Sequence, residues 1–545
     1  MDVEVRKSSI TGAGRGLFAK KDFAPGDLVL SLNRPYVAEL DIDRLADTCA
    51  WCFQRAATTA EERSLSQNLG LPAGFIETKA CTGCKRVRYC SKTCQSKAWK
   101  REHKYECKVL APDNRPDLPH GVRAVIKLLG RLKADPENKD ENLIDILQFQ
   151  PAGTGGSAMD EFKKQDAQRF EDFGMLSYGA WKYAGEPEIA DMDSQVIARG
   201  YFFNVMSNTL QLSSPLDDTK LGIGFDPILC SANHSCDPNV ATMFNQPQQL
   251  LRALKPIKKG EEITMKYVDI TNPFSIRQSE LREAYFFGCK CIKCKKGAVW
   301  PEDKFLKAAE DLPPAFVDIA EQLIKRHQKQ LHKFFIPAND PKAQRRMAAL
   351  QAEAFSVSGL TFDINKGNEK ASEDEIKDAL KLTLNSGMWD YTRQPVPHLL
   401  RQLLILYISA GRTYQAWRIA LKTRFEVSPT LYPQSFYPDR VVDCWLLTTL
   451  TNQLCNPHSG NQEVFEQSMK AGLDLRIVYF GFLIETREGI DKSYGKESPF
   501  GRVVESMYTK TVANTDISIE EIKEKIKETW PKLEAVAKSV DVVNL

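Results

Sequence analysis

Apolar positions near the start of the chain come in short runs. Thr11-Gly-Ala-Gly-Arg-Gly-Leu-Phe18, Pro25-Gly26 and Asp27-Leu-Val-Leu-Ser-Leu32 predict a glycine loop, a turn and a buried strand. Val122-Arg-Ala-Val-Ile-Lys-Leu-Leu129 switches to helical spacing, and a second helical stretch precedes Tyr201. Between them, Pro151-Ala-Gly-Thr-Gly-Gly-Ser157 predicts a flexible loop and Ala134-Asp-Pro-Glu-Asn-Lys-Asp140 exposed turns, with no chemistry. Compact structure resumes at Phe202-Phe-Asn-Val-Met-Ser-Asn208. A turn is expected at Gly222-Ile-Gly-Phe225, and strands at Gln249-Leu-Leu-Arg-Ala-Leu254 and Glu262-Ile-Thr-Met-Lys-Tyr267 are joined by a turn at Lys258-Lys-Gly260. Past residue 300 the pattern is helical, as in Phe316-Val-Asp-Ile-Ala-Glu-Gln-Leu-Ile324. His398-Leu-Leu-Arg-Gln-Leu-Leu-Ile-Leu-Tyr-Ile-Ser-Ala-Gly411 and Gln415-Ala-Trp-Arg-Ile-Ala-Leu421 predict helix, turn and helix in an irregular array without a clean period.

A chain of 545 residues accommodates two to four domains, and its 42% hydrophobic and 27% charged content is ordinary for globular proteins. No apolar run approaches a membrane span, and Met1-Asp-Val-Glu-Val-Arg lacks the pattern of a secretory signal, so the expectation is an intracellular protein, cytoplasmic and nuclear. A formal net charge of +3 gives no reason to expect wholesale nucleic-acid binding. The 14 cysteines are clustered, and in a reducing compartment clustered thiols point to metal rather than disulfides.

Four ligand pairs stand in the first cluster: Cys49 and Cys52, Cys81 and Cys84, Cys90 and Cys94, His103 and Cys107. Zinc takes four such ligands on short turns, so eight make two tetrahedral sites. From Lys79 to Lys108 the segment is basic, set against only Glu102 and Glu106, a face suited to phosphate backbones, acidic proteins or plain solvation. Tyr89-Cys-Ser-x2-Cys-Gln95, Trp99 and His103-x3-Cys107 resemble the MYND zinc finger. That resemblance implies interleaved pairing, Cys49, Cys52, Cys90 and Cys94 on one zinc and Cys81, Cys84, His103 and Cys107 on the other. The long spacer from Cys52 to Cys81 departs from the family and reads as a surface insertion.

The polar stretch Cys230-Ser-Ala-Asn-His-Ser-Cys-Asp-Pro-Asn239 completes a second set of motifs. With Gly14-Arg-Gly-Leu17, Glu261-Glu-Ile-Thr264, Tyr267 and Tyr285-Phe-Phe-Gly-Cys-Lys-Cys-Ile-Lys-Cys294, it resembles a SET domain. The whole chain is similar to the SET-and-MYND-domain (SMYD) family of protein-lysine methyltransferases. The implied fold is α+β multidomain: a β-rich SET domain split by the finger and a helical insert, a Cys-rich post-SET segment, and an α-helical, tetratricopeptide-like (TPR-like) C-terminal domain. Its expected divisions are 1–48, 49–107, 108–200, 201–270, 271–297 and 298–545.

The resemblance implies a third zinc on Cys236, Cys289, Cys291 and Cys294, leaving Cys230, Cys444 and Cys455 as core residues. It implies S-adenosylmethionine as cofactor, with contacts from Ala13, Gly14, Arg15, Asn208, Asn233, His234, Tyr267 and Phe287. Ala13 and Arg15 differ from the family's usual residues, which leaves their backbones as the implied contacts. Tyr267 is the implied catalytic residue, and Tyr285 and Leu210 the implied lining of the lysine channel. The implied partner is a lysine-containing protein segment bound by a monomer, with proline-rich peptides at the finger and weaker support for DNA. The alternative is a MYND-mediated scaffold or transcriptional corepressor with weak or no methyltransferase activity.

Overall fold

The computed structural model describes all residues except 11, 57–75, 112–116, 136, 138, 148–157, 190–192, 217–219, 335, 337, 360–370 and 457–459. The spacer between Cys52 and Cys81 and the loop at 151–157 therefore fall largely or wholly outside the described residues. The chain is an α+β multidomain protein whose described strands form four small sheets, the first of which borders a cavity.

The first sheet runs β1 (Val3–Lys7), β2 (Arg15–Ala19), β12 (Glu262–Met265) and β9 (Asn233–His234). The glycine-rich stretch is the hairpin of β1 and β2, closed by the Ser8 amide on the Gly14 carbonyl at 2.8 Å, with Lys7 opposite Arg15. Gly14 takes the left-handed φ of +68° that this tight turn requires. Leu17, Val29, Leu251 and Ile263 close over one shared apolar core.

A second sheet packs β3 (Leu28–Leu32) against β11 (Gln248–Ala253) and β10 (Val240–Asn245). The third orders β4 (Val37–Leu40), β8 (Lys220–Phe225) and β7 (Leu210–Ser213). Gly222-Ile-Gly-Phe225, expected as a turn, is strand β8. The reason is close approach: a Cβ on Gly222 would sit 2.0 Å from the Glu39 carbonyl of β4, so the glycine admits a neighbouring strand rather than a bend.

Between β4 and β7 come the finger and the insert. The finger has a two-stranded ribbon, β5 (Lys79–Ala80) and β6 (Arg88–Tyr89), and the helices α1 (Lys92–Ala98) and α2 (Lys104–Leu110) joined through a π-turn. The insert comprises α3 (His120–Lys133), α4 (Glu141–Leu147), α5 (Ala158–Gln165), α6 (Ala167–Tyr183) and α7 (Ser194–Asn208). The helical stretch expected before Tyr201 runs on to Asn208, so the expected division at 200 falls inside α7. Helix α8 (Phe274–Tyr285) ends on Phe286, whose left-handed φ of 61° costs a bulky residue about 1–2 kcal/mol. Burial repays that strain: Phe286 stacks on Phe203 at 5.9 Å in the insert's core. The reversal leaves Tyr285 and Phe287 on the cavity wall.

The C-terminal half is an array of helices with its own large core. Helices α13 (Val396–Ser409) and α14 (Thr413–Lys422) form the expected pair, the tenth, eleventh and twelfth being Pro314–His327, Pro341–Ser358 and Glu373–Leu384. The array is bolted to the second sheet, since Met243 and Leu250 share a buried cluster with Trp445, Phe480 and Phe500. Trp445 is 1% exposed, meets Phe500 edge-on at 5.5 Å and donates its indole N–H to the Leu216 carbonyl at 2.9 Å. Trp445→Ala should cost about 3–5 kcal/mol, read as a lowered midpoint of thermal unfolding with both halves melting less cooperatively.

Candidate active site and metal centres

Three groups of soft ligands converge. Cys49, Cys52, Cys90 and Cys94 form one; Cys81, Cys84, His103 and Cys107 the second; Cys236, Cys289, Cys291 and Cys294 the third, and within each group the ligand atoms lie within 4.8 Å of one another. A tetrahedron of roughly 2.3 Å zinc–sulfur bonds has corners about 3.8 Å apart. The sulfurs of Cys52 and Cys90 are 3.6 Å apart, those of Cys81 and Cys107 3.8 Å, and those of Cys236 and Cys294 3.4 Å. His103 turns Nε2 toward Cys81 and Cys84, at 3.4 and 3.7 Å, because Nδ1 pairs with Glu106 Oε1 at 2.9 Å. A carboxylate behind the imidazole is the usual way a zinc-ligating histidine is oriented. Near the third group, buried Arg277 pairs with Glu302 at 2.9 Å, and its Nε and Nη2 find no hydrogen-bond partner among the described residues. These donor sets fit zinc.

A cavity of about 1030 Å³ opens beside the third group. Ala13, Gly14 and Arg15 line it from the hairpin, Asn208 from the end of α7, Asn233 and His234 from β9, and Tyr267, Tyr285 and Phe287 from its far wall. Leu210, expected in the channel, is not on this wall: it opens β7 and packs against the first sheet's core.

The pairing that assembles these residues is a short parallel ladder, Asn233 with Thr264 and His234 with Met265. The Asn233 side-chain NH2 donates to the Arg15 carbonyl at 2.7 Å, to Glu262 at 2.8 Å and to Ser8 at 3.2 Å. His234 accepts the Tyr267 backbone N–H on Nδ1 at 3.0 Å and places Nε2 3.3 Å from Cys236 Sγ. Burial pushes this imidazole down to about 4, so it is neutral. Both side chains therefore hold the protein together. Arg15 turns its guanidinium to Asp145 of α4, 3.4 Å away, and only its backbone faces Asn233.

Tyr267 donates its hydroxyl to the Ala232 carbonyl at 3.0 Å, and its ring lies 4.9 Å from that of Tyr285. Tyr285 donates to the Tyr267 carbonyl at 3.3 Å. Burial drives both phenols upward, Tyr285 to about 12 and Tyr267 further, so each keeps its proton at neutral pH. Behind Tyr285, burial and then Asp269 push the Glu280 carboxyl up to about 8.

Other wall residues escape the sequence reading. Cys230, read as core, is buried in the insert's core as expected and also borders the cavity, donating its thiol to the Asn208 carbonyl at 2.9 Å. Its place three residues before Asn233 was the available signal. Glu161 and Gln165 reach the cavity from α5, in a segment read as free of chemistry, and no local pattern links them to it.

The Asn-His ladder and Tyr267 both fall within residues 14–268, which match the SET domain family. The chain is 27% identical to the histone-lysine N-methyltransferase SMYD3 of Mus musculus over 67% of its length and 75% of that protein. It is 30% identical to the N-lysine methyltransferase SMYD2 of Homo sapiens over 52% of its length and 58% of that protein. It is 29% identical to the SET domain and MYND-type zinc finger protein 6 of Schizosaccharomyces pombe over 52% of its length and 50% of that protein. The matches thus span between half and three quarters of these relatives. The chain is thus similar to curated SMYD-type lysine methyltransferases, and its match to the SET domain family covers just under half of it. A solved SET domain of LSMT, bound to methyl-lysine and AdoHcy, aligns over 96% of this chain and 95% of that one at 11% identity and a TM-score of 0.29, too slight a likeness for residue correspondence.

Metal analysis of the purified protein should find three zinc ions per chain, and Cys294→Ser should lower the count to two. Glu280 makes a signed pH prediction. Its folded value of about 8 lies above the 4.5 of a free glutamate, so it stabilises fully below the unfolded value and loses that contribution as pH rises to the folded one. The advantage of Glu280→Gln over wild type in thermal unfolding should therefore widen from pH 5 to 8, by at most about 1.4 kcal/mol per pH unit, and level off above.

Proposed function

We propose that this protein transfers a methyl group from S-adenosylmethionine to the side-chain amine of a lysine in a protein substrate. The observation carrying this reading is the Tyr267 phenol, held by Ala232 on the wall shared by the glycine hairpin, Phe287 and Tyr285. The volume is in the range of, or slightly above, a small-molecule cofactor site. When bound, the cofactor's sulfonium supplies an electrophilic methyl group.

The protein's own residues must present a neutral amine. A free lysine has a pKa of about 10.4, so roughly one in a few thousand is uncharged at pH 7. The aromatic walls of Tyr267 and Tyr285 exclude water, and desolvation disfavours the ammonium form. Neither phenol acts as base, because burial holds their protons. Tyr267 instead orients the amine, its oxygen fixed by the donation to Ala232. The backbone of 13–15, rather than the Arg15 guanidinium, meets the cofactor, and Phe287 covers its flat ring.

The finger carries exposed Trp99, 47% accessible, on its basic helical face, a surface suited to a proline-rich peptide. Reduced, metal-grouped thiols fit the cytoplasm and nucleus. Among the described residues no helix is long and apolar enough to cross a membrane.

Labelled-methyl transfer to a protein extract separates this reading from a scaffold without activity. Wild type should label discrete bands, and Tyr267→Phe should lower the rate by about a hundredfold or more while binding S-adenosylhomocysteine within about threefold of wild type. Unchanged turnover by the pure variant refutes the role of Tyr267; no cofactor binding by wild type refutes the function.

A further inference from the structure

Of the consecutive carboxylates at 261 and 262, Glu262 sits at the junction of three chain segments that are far apart in sequence. Its Oε1 accepts from the Ser8 hydroxyl at 2.6 Å and from the Asn233 side-chain NH2 at 2.8 Å. Its Oε2 accepts from the Ser9 amide at 3.0 Å and from the Ser9 hydroxyl at 2.6 Å. Four donors thus converge on one carboxylate, and it lies on the cavity wall. The approach depends on Gly16, where a Cβ would come within 2.5 Å of Oε1. Room for this carboxylate is a specific reason for glycine at 16, which lies in a strand rather than a turn.

Ile10, Gly12 and Gly14 of the hairpin between β1 and β2 are exposed, and β1 is the edge strand of its sheet. Among the described residues, the ties within the hairpin include the Ser8 amide on the Gly14 carbonyl, the Ala13 amide on the Ile10 carbonyl and the Ile10 amide on the Ser8 hydroxyl. Arg15 reaches Asp145 of the insert, and the bonds to Glu262, with the Asn233 bonds to Ser8 and the Arg15 carbonyl, connect the hairpin to β12 and β9. Charge-assisted bonds of this kind are roughly twice as strong as neutral ones.

We propose that Glu262 is a positioning residue for cofactor binding: it fixes the 8–16 hairpin and the Asn233 side chain in the geometry that forms the cofactor wall. The inference rests on the cofactor reading given under Proposed function. Glu262 acts through the hairpin backbone and Asn233.

The chemistry of the donors makes the negative charge specific. Each oxygen of Glu262 faces one hydroxyl, which can reverse, and one N–H, which cannot: Asn233 Nδ2 at Oε1 and the Ser9 amide at Oε2. In Glu262→Gln, whichever way the new amide is turned, its NH2 meets an N–H. Flipping Asn233 gives no escape, because its oxygen would then face the Arg15 carbonyl. A near-isosteric change therefore opposes the latch while removing almost no volume.

The test compares wild type, Glu262→Gln and Ser8→Ala/Ser9→Ala, each as full chain with its zinc. S-adenosylhomocysteine affinity is measured by calorimetry, and amide exchange of the hairpin by mass spectrometry on cofactor-free protein. Glu262→Gln should weaken binding by about tenfold or more and accelerate exchange at residues 8–16 by a similar factor. KM for S-adenosylmethionine should rise in parallel, with kcat at saturating cofactor within about threefold of wild type. The serine double variant removes two of the four donors on the outer side and should weaken binding by an intermediate factor with an unchanged melting temperature. Wild-type affinity and wild-type exchange in Glu262→Gln overturn the proposal. If that variant does not fold, wild-type affinity in the serine double variant overturns it. Absence of binding by wild type itself overturns the cofactor reading instead.

Discussion

Asn233 pairs with Thr264 and His234 with Met265 in a parallel ladder two residues long. A pairing this short does not persist alone. Asn239, 4% exposed, makes it persist: its amide donates to the Thr264 carbonyl at 3.1 Å, its side-chain oxygen accepts the Thr264 amide at 2.7 Å, and its NH2 donates to the Glu262 carbonyl at 2.9 Å. Ser235 adds a bond to the Met265 carbonyl, and the His234 ring takes the Tyr267 amide. The segment from 233 to 239 is thus laced to the segment from 262 to 267 at every turn. The relative position of Tyr267 and the hairpin follows from this lacing, since β12 is also the strand that pairs with β2.

One anchor keeps the lacing from fraying. Cys236 lies inside the laced segment and belongs to the third ligand group, so the chain after α8 is tied to the same point. Elsewhere, a buried ionic cluster joins finger, insert and third sheet. Lys127 of α3 reaches Glu39 at 2.7 Å and Glu106 at 3.2 Å, Arg123 reaches Glu39 at 3.2 Å, and Arg34 reaches Glu102 at 2.7 Å. Burial raises the Glu39 carboxyl despite both cations. It also works against Glu106, where Lys127 and His103 outweigh it and keep the carboxylate ionised. Such a cluster adds little net stability over an apolar core, yet removing one partner strands a buried charge at a cost of about 3–5 kcal/mol. It therefore penalises wrong docking of the finger more than it rewards the right one, and Glu106 carries that penalty to the metal ligand His103.

The metal groups were legible in the sequence because zinc chemistry imposes both residue type and local spacing, and the cysteine pairs carry both. Strand β11 and helix α3 were legible from periodicity. Strand β8 was not, because its glycines serve β4 rather than a bend, and that requirement exists only once the two strands are adjacent. Glu161 and Gln165 were illegible as wall residues for the same reason: the cavity gathers positions from the hairpin, the insert and the segment after α8, and no local pattern encodes which ones meet.

The polar residues of the Asn-His motif face the protein more than they face a ligand. Asn233 donates to Arg15, Glu262 and Ser8, and His234 bridges the Tyr267 amide to Cys236. This arrangement accounts for Arg15, whose side chain is engaged by Asp145 while its carbonyl remains in the lattice of bonds around Asn233. A residue whose backbone does the work can vary in its side chain, whereas Asn233 cannot: no other side chain of that length offers an NH2 to a carbonyl and a carboxylate at once. The identity of the motif is therefore set by the scaffold that it closes, and that scaffold presents Tyr267 to the cavity two residues past the end of β12.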